Sequence, residues 1–181
     1  PPDTRALITK QPGVVRFLEP GAYRMMYGVA RMSKNGTGIS GDNYTYSGSL
    51  PGQVIMSLSD GMGSGAAADQ ESRKVIELLQ QLLETGFSAR SALKMVNTIL
   101  MLTGTEQHPA TLDLCCVDLC SGVLEAMKMG AVATFVLSNG QAEILDAGNL
   151  PAGVLSQAEP ALLSRKLWDN DQIIMITDGV L

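Results

Sequence analysis

Two apolar stripes of helical period stand back to back in the middle of this chain with no strand between them, an order that rules out most layered folds. In the first, Val75, Ile76, Leu78, Leu79, Leu82 and Leu83 recur at three- and four-residue spacing, and Gly86 is placed to end it. In the second, Ser88 can cap the start, and Ala92, Leu93, Val96, Ile99 and Leu100 form the buried stripe. Strand patterns lie on both sides. Residues 23–32 are aromatic and apolar enough for a strand. Turn residues follow, with Asn35-Gly36 the strongest hairpin signal, then a short return strand over 42–46 and a second apolar run over 53–59. After Thr103, apolar runs at 111–118, 123–129, 134–138 and 141–145 are parted by Ser121-Gly122, Gly130 and Asn139-Gly140. Runs at 161–166 and 172–177 add two more strands. Helices grouped between runs of strands, without βαβα alternation, predict an α+β layered fold whose strands form an antiparallel sandwich.

A length of 181 residues suits one hydrophobic core. Residues 1–22 show no clear periodicity and read as a lead-in to a domain over 23–181. The formal charge of −5 and the absence of a Lys/Arg run argue against nucleic acid as a partner, since that affinity needs a basic footprint. No apolar run approaches the roughly 20 residues that span a bilayer, and no secretory pattern opens the chain. Pro1 and Leu181 read as cut ends, which leaves open a membrane anchor elsewhere in a longer protein.

Cys115, Cys116 and Cys120 fall in one apolar stretch and read as reduced core thiols of a cytoplasmic domain. A cysteine-dependent phosphatase needs an arginine six residues after its nucleophile, and those places hold Ser121, Gly122 and Ala126. The cysteines form no C-x₂-C pair, and the single histidine, His108, stands alone.

The informative acids sit at strand ends. Ser40-Gly41-Asp42-Asn43, Ser59-Asp60-Gly61 and Thr177-Asp178-Gly179 each place an aspartate beside a glycine, after or opposite an apolar run. A glycine next to the acid lets backbone carbonyls approach an ion closely. Carboxylates, carbonyls and water are hard ligands that suit Mg²⁺ or Mn²⁺. Asp-Gly is also ordinary turn chemistry, and residue types alone leave both readings open. Residues 61–66 satisfy G-x-G-x-x-A after a strand and before a helix. Asp60 would nevertheless bring a negative charge to a pyrophosphate, and no second strand ending in an acid follows the helix. A Walker-type loop is excluded because no Gly-Lys-Ser/Thr occurs.

Taken in order, Gly28-Val-Ala-Arg31, Ser40-Gly-Asp-Asn-Tyr44, Leu58-Ser-Asp-Gly-Met-Gly-Ser-Gly-Ala66, Ala110-Thr-Leu-Asp-Leu114, Asn149-Leu-Pro-Ala-Gly153 and Thr177-Asp-Gly-Val180 resemble the phosphatase family typified by stage II sporulation protein E. That family is a bacterial branch of the protein phosphatase 2C superfamily, and the resemblance covers residues 27–181. The first two landmarks favour the sporulation branch over stress-response relatives. The resemblance implies two β-sheets flanked by helices, with two Mn²⁺ or Mg²⁺ ions at one end of the sandwich. It implies Asp60 as the carboxylate bridging both ions, the Gly61 carbonyl on one of them, Asp178 on the other, and Asp42 acting through water in the outer shell. No metal role is carried to Asp113, which reads as a strand residue facing solvent.

The implied activity is hydrolysis of a phosphoserine or phosphothreonine protein by water activated between the two cations. In the family that substrate is a phosphorylated anti-anti-sigma factor, whose dephosphorylation frees a sporulation sigma factor. Met62 stands where many eukaryotic relatives have a histidine, and His108 reads as solvated. A further metal-binding aspartate of the relatives falls beyond Leu181, so this chain is expected to lack the domain's C-terminal end, bind one metal weakly and be poorly active. In the family the helix pair matching 68–102 is implicated in switching, so here it is expected to couple contacts with a partner, or with a second copy in a homodimer, to the position of Asp60. The rival from another class is a pseudophosphatase, a binding module that keeps the fold.

Overall fold

The computed structural model describes residues 7–11, 14–18, 21–32, 40–48, 52–63, 65–103 and 109–180. A hairpin of β1 (Leu7–Gln11) and β2 (Val14–Leu18) opens the chain within the stretch read as a lead-in. Next come β3 (Asp42–Ser47), β4 (Gln53–Asp60), α1 (Ala66–Glu84), α2 (Ala89–Thr103), β5 (Leu112–Asp118) and β6 (Val123–Met129). β7 (Thr134–Ser138), β8 (Gln141–Leu145), β9 (Ala161–Lys166) and β10 (Gln172–Met175) complete the strands, and a 3-10 turn holds Asp178–Val180. One sheet has the order β3-β4-β5-β6-β9, the other β10-β7-β8, and every pairing is antiparallel.

Alternation along β4 and β5 gives the large sheet two apolar faces. Ile55, Leu112, Leu114, Met127 and Met129 meet Val75, Leu79, Leu83, Leu93 and Val96 of the helices. Cys115, Val117, Leu124 and Ala126 point the other way, against Val136 and Leu145 of the small sheet. Leu79, Leu93, Leu112 and Leu114 are fully buried, and such a side chain contributes about 1.5–3 kcal/mol. The α+β sandwich flanked by helices is therefore the observed architecture.

The helix ends follow from their residues. Gly86, at φ 95°, donates its N–H to Leu83 O, and Phe87 N–H reaches Leu82 O, so the left-handed glycine closes α1. Ser88 Oγ accepts the Ser91 N–H at 3.2 Å and starts α2.

Three expectations are corrected. Residues 23–32 form no strand; Met26 and Met32 are about nine-tenths exposed, so the alternating burial that holds a strand in a sheet is missing. This segment is tied instead by Tyr23 N–H to Leu119 O, by Tyr27 stacked on Tyr46 at 3.9 Å, and by Arg31 on Ser40 O and Asp69. β3 pairs with β4, and the Asn35-Gly36 turn lies outside the described residues, as does His108. Cys115 is a core thiol, pushed far up by burial, and Cys116 is half-buried, its thiol pushed up to about 11 by burial and then by Glu125. Cys120 is exposed because it sits in the turn that joins β5 to β6. Asp113, expected at the surface, is 1% exposed, because its strand position shares the inward parity of Cys115 and Val117.

Candidate metal centre

β3 and β4 pair so that Asp42 stands directly opposite Asp60. Strand pairing puts directly opposed side chains about 5 Å apart on one face, which brings these two carboxylates together. Asp60 is fixed from both sides of its peptide: its N–H donates to Thr111 Oγ1 at 3.0 Å, and its carbonyl accepts the Thr111 N–H at 3.0 Å. Ser40 Oγ donates to Asp42 Oδ2 at 2.8 Å, and Thr177 Oγ1, arriving from the other sheet, donates to the same oxygen at 3.3 Å. Thr177 leads straight into the 3-10 turn that carries Asp178. The two sheets thus converge on one hollow at the end of the sandwich, lined by Leu58, Asp60, Thr111, Asp113, Gly130, Ala131, Val132, Ile176, Thr177 and Asp178.

The electrostatics match this crowding. Burial, the charge of Asp42 and a hydrogen bond with Asp178 push the Asp60 carboxyl up to about 7. Three acids held together in this way repel one another unless a proton or a cation intervenes. Among the described residues no three His, Cys, Asp or Glu side chains are grouped so as to hold an ion by themselves, so backbone carbonyls and water would have to complete any cation's shell. An oxygen-only donor set of two carboxylates, a carbonyl and water is what Mg²⁺ and Mn²⁺ accept, since Mg²⁺ retains several waters when bound. The residues present fit such a cation.

α1 is locked to this site through its first turns. Ser72 Oγ donates to Gly41 O and to Ala68 O, and Asn43 Nδ2 donates to Ser72 Oγ at 2.8 Å and to Asp69 Oδ1 at 3.1 Å. Gly61 N–H returns to Gly41 O at 3.1 Å. Asp69 also takes Arg31 and Arg73, and its carboxyl is held below the usual range, first by Asn43 and then by these arginines.

Asp113, which lines the hollow, belongs to a buried pair that the motifs did not disclose. Asp113 on β5 stands opposite Lys128 on β6, and both are at most 1% exposed. Lys128 Nζ donates to Asp113 Oδ2 at 2.7 Å, to Val132 O at 2.8 Å and to Thr134 Oγ1 at 2.8 Å. Thr134, on the small sheet, donates to Asp113 Oδ2 at 2.5 Å, so the pair bridges the two layers. Burial pushes the Asp113 carboxyl up while Lys128 pulls it down. The signal in the sequence is the parity of Leu124, Ala126 and Lys128, which puts a charge at an inward position of an apolar strand. Asn149 braces the same corner, accepting Gly130 N–H at 2.9 Å and donating to Lys128 O at 2.5 Å.

The family model described as stage II sporulation protein E (SpoIIE) matches residues 51–181. The chain belongs to the stage II sporulation protein E family. It is 34% identical to stage II sporulation protein E of Bacillus subtilis (strain 168) over 166 residues, which is 92% of this chain and 20% of that protein. Identity to the Priestia megaterium protein is also 34%, over 88% of this chain and 27% of that one. The chain therefore spans about a fifth to a quarter of the curated relatives it matches. Among solved structures, the PP2C phosphatase domain with a fragment of the regulatory domain of Bacillus subtilis SpoIIE superimposes with a TM-score of 0.84 at 31% identity, over 97% of this chain and 54% of that one. RsbX shares the fold with a TM-score of 0.70 at 15% identity, over 97% of this chain and 79% of that one. The fold is that of protein phosphatase 2C.

Gly61 is packed tightly against α1. A Cβ added there would lie 2.3 Å from Ala68 O in α1, a clash with backbone that no rotamer relieves. Gly61→Ala is expected to lower stability by about 1–3 kcal/mol by forcing α1 away from β4, measured by urea denaturation.

Proposed function

We propose that residues 23–181 belong to the catalytic domain of a metal-dependent protein serine/threonine phosphatase. The observation that carries this reading is the trio of Asp42, Asp60 and Asp178 gathered from both sheets, with the Asp60 carboxyl pushed up to about 7. In this reading Asp60, the Gly61 carbonyl and Asp178 would hold two Mn²⁺ or Mg²⁺ ions, with Asp60 shared between them and Asp42 acting through water. Such a pair, when bound, supplies a water of lowered pKa and positive charge against the phosphoryl oxygens. The chain's own task is to hold the acids at fixed spacing: Thr111 clamps the Asp60 backbone, while Ser40 and Thr177 orient Asp42. RsbX, of the same fold, has been solved in complex with magnesium, which supports a hard cation here.

The substrate class is a phosphoserine or phosphothreonine protein, and the proposed member is a phosphorylated anti-anti-sigma factor, on the strength of the sporulation family. No helix among the described residues is long and apolar enough to cross a membrane. The proposed location is the cytoplasm, as a domain of a larger and membrane-anchored protein. The α1–α2 pair is the proposed route by which a partner or a second copy shifts Asp60, because α1 is bonded to the Asp42 strand through Ser72 and Asn43. The test is phosphate release from a phosphorylated anti-anti-sigma factor with and without Mn²⁺, beside a phosphotyrosine peptide. Mn²⁺-dependent release from the serine substrate alone, however slow in this chain, supports the reading; no release at any metal concentration sinks it.

The raised carboxyl sets a pH dependence. A cation must displace the proton that Asp60 holds below about pH 7, so apparent Mn²⁺ affinity is expected to fall roughly tenfold per pH unit below that point and to level off above it. The metal-free protein is expected to show the opposite sign. Its folded state binds this proton more tightly than the unfolded chain, whose ordinary value is 3.8, so the stabilisation from this group is lost between about pH 4 and 7 as pH rises. Calorimetric titration from pH 5.5 to 8 and metal-free melts over the same range check both.

A further inference from the structure

Asp113 keeps one oxygen in an unusual state. Its Oδ2 takes both Lys128 Nζ and Thr134 Oγ1, while its Oδ1 is buried and without a hydrogen-bond partner among the described residues. A buried acceptor left bare is unfavourable, and a pair serving only to tie β5 to β7 would gain by covering it. Rotation offers no escape, because the two donors on Oδ2 fix the carboxylate plane. Lys128 has spent its three donors on Asp113, Val132 and Thr134, so it neutralises Asp113 without reaching further. Asp113 also lines the hollow shared by Asp60, Thr111, Thr177 and Asp178.

We propose that Asp113, clamped by Lys128 and Thr134, is a positioning residue whose free Oδ1 accepts a hydrogen bond from the hydration shell of a divalent cation held at Asp60 and Asp178. This inference rests on the metal reading above. The neutral pair offers an oriented acceptor while adding no net charge to acids that already repel one another. Groups that orient a bound cation's surroundings in this way typically change its affinity by about 10–100-fold.

The test is Mn²⁺ affinity, followed by the electron paramagnetic resonance of free Mn²⁺ at pH 8, with melts as the folding control. Asp113→Leu combined with Lys128→Met replaces the buried pair by apolar groups of similar volume, which leaves folds intact in comparable cases. The expected result is a melt close to that of the unaltered protein and Mn²⁺ binding about tenfold weaker. Asp113→Asn combined with Lys128→Met restores an acceptor at the hollow and is expected to bind within about threefold of the unaltered protein. Should the leucine not fold, Asp113→Val with Lys128→Met removes the same oxygen and is read in the same way. Unchanged affinity in the leucine or valine variant overturns the inference. Asp60→Asn, measured alongside, separates the two levels: if it too binds Mn²⁺ like the unaltered protein, the metal reading falls and takes the inference with it.

Discussion

Lys128→Met alone is expected to destabilise the protein by about 3–5 kcal/mol at neutral pH, since it strands a carboxylate in the sandwich. Lys128 supplies the only cation among the described contacts of Asp113, and both groups are at most 1% exposed. Removing it leaves Oδ2 with Thr134 alone, while methionine occupies similar space. For a chain of this length the loss corresponds to a fall in Tm of about 6–20 °C. The sign of its pH dependence follows from burial, which already pushes the Asp113 carboxyl up. Without Lys128 opposing it, the folded state takes up a proton more readily than the unfolded chain, so lowering the pH favours folding. The deficit is therefore expected to shrink as pH falls towards 4, and denaturant melts at pH 8 and pH 5 measure it.

Much of this architecture is legible in the residues because burial has a period. β6, β7, β8 and β9 stand where the apolar runs and Gly or Asn-Gly turns place them, and α1 and α2 follow their leucine and valine stripes. Residues 23–32 mislead because aromatic and methionine content imitates a strand, although Met26, Tyr27, Val29 and Met32 are all left exposed. The hairpin of β1 and β2 gives no such signal, since Thr9, Lys10 and Arg16 interrupt its apolar residues. At the site, Asp42 and Asp60 are visible as acids at strand ends, and their direct opposition is a matter of register that spacing along one chain does not fix. Asp178 reaches them only through the packing of one sheet on the other. Asp113 and Lys128 were hidden for a related reason: each looks like an ordinary polar strand residue until pairing places them opposite one another.

The second large effect falls on Asp60. Asp60→Asn keeps the shape of the side chain and its backbone bonds to Thr111, but removes the charge that faces Asp42 and Asp178. Mn²⁺-dependent hydrolysis is expected to fall by at least about 100-fold, equivalent to ~2.7 kcal/mol of lost transition-state stabilisation. The metal-free protein is expected to become more stable at pH 8, because one of three mutually repelling carboxylates is gone. Loss of turnover with a gain in stability separates a functional acid from one that merely supports the fold. The most direct measurement is phosphate release from a phosphoserine protein at saturating Mn²⁺ by the unaltered and Asp60→Asn proteins, at equal concentration and with melts in parallel. The account predicts release by the first and almost none by the second, with the variant fully folded; equal release by both would contradict it.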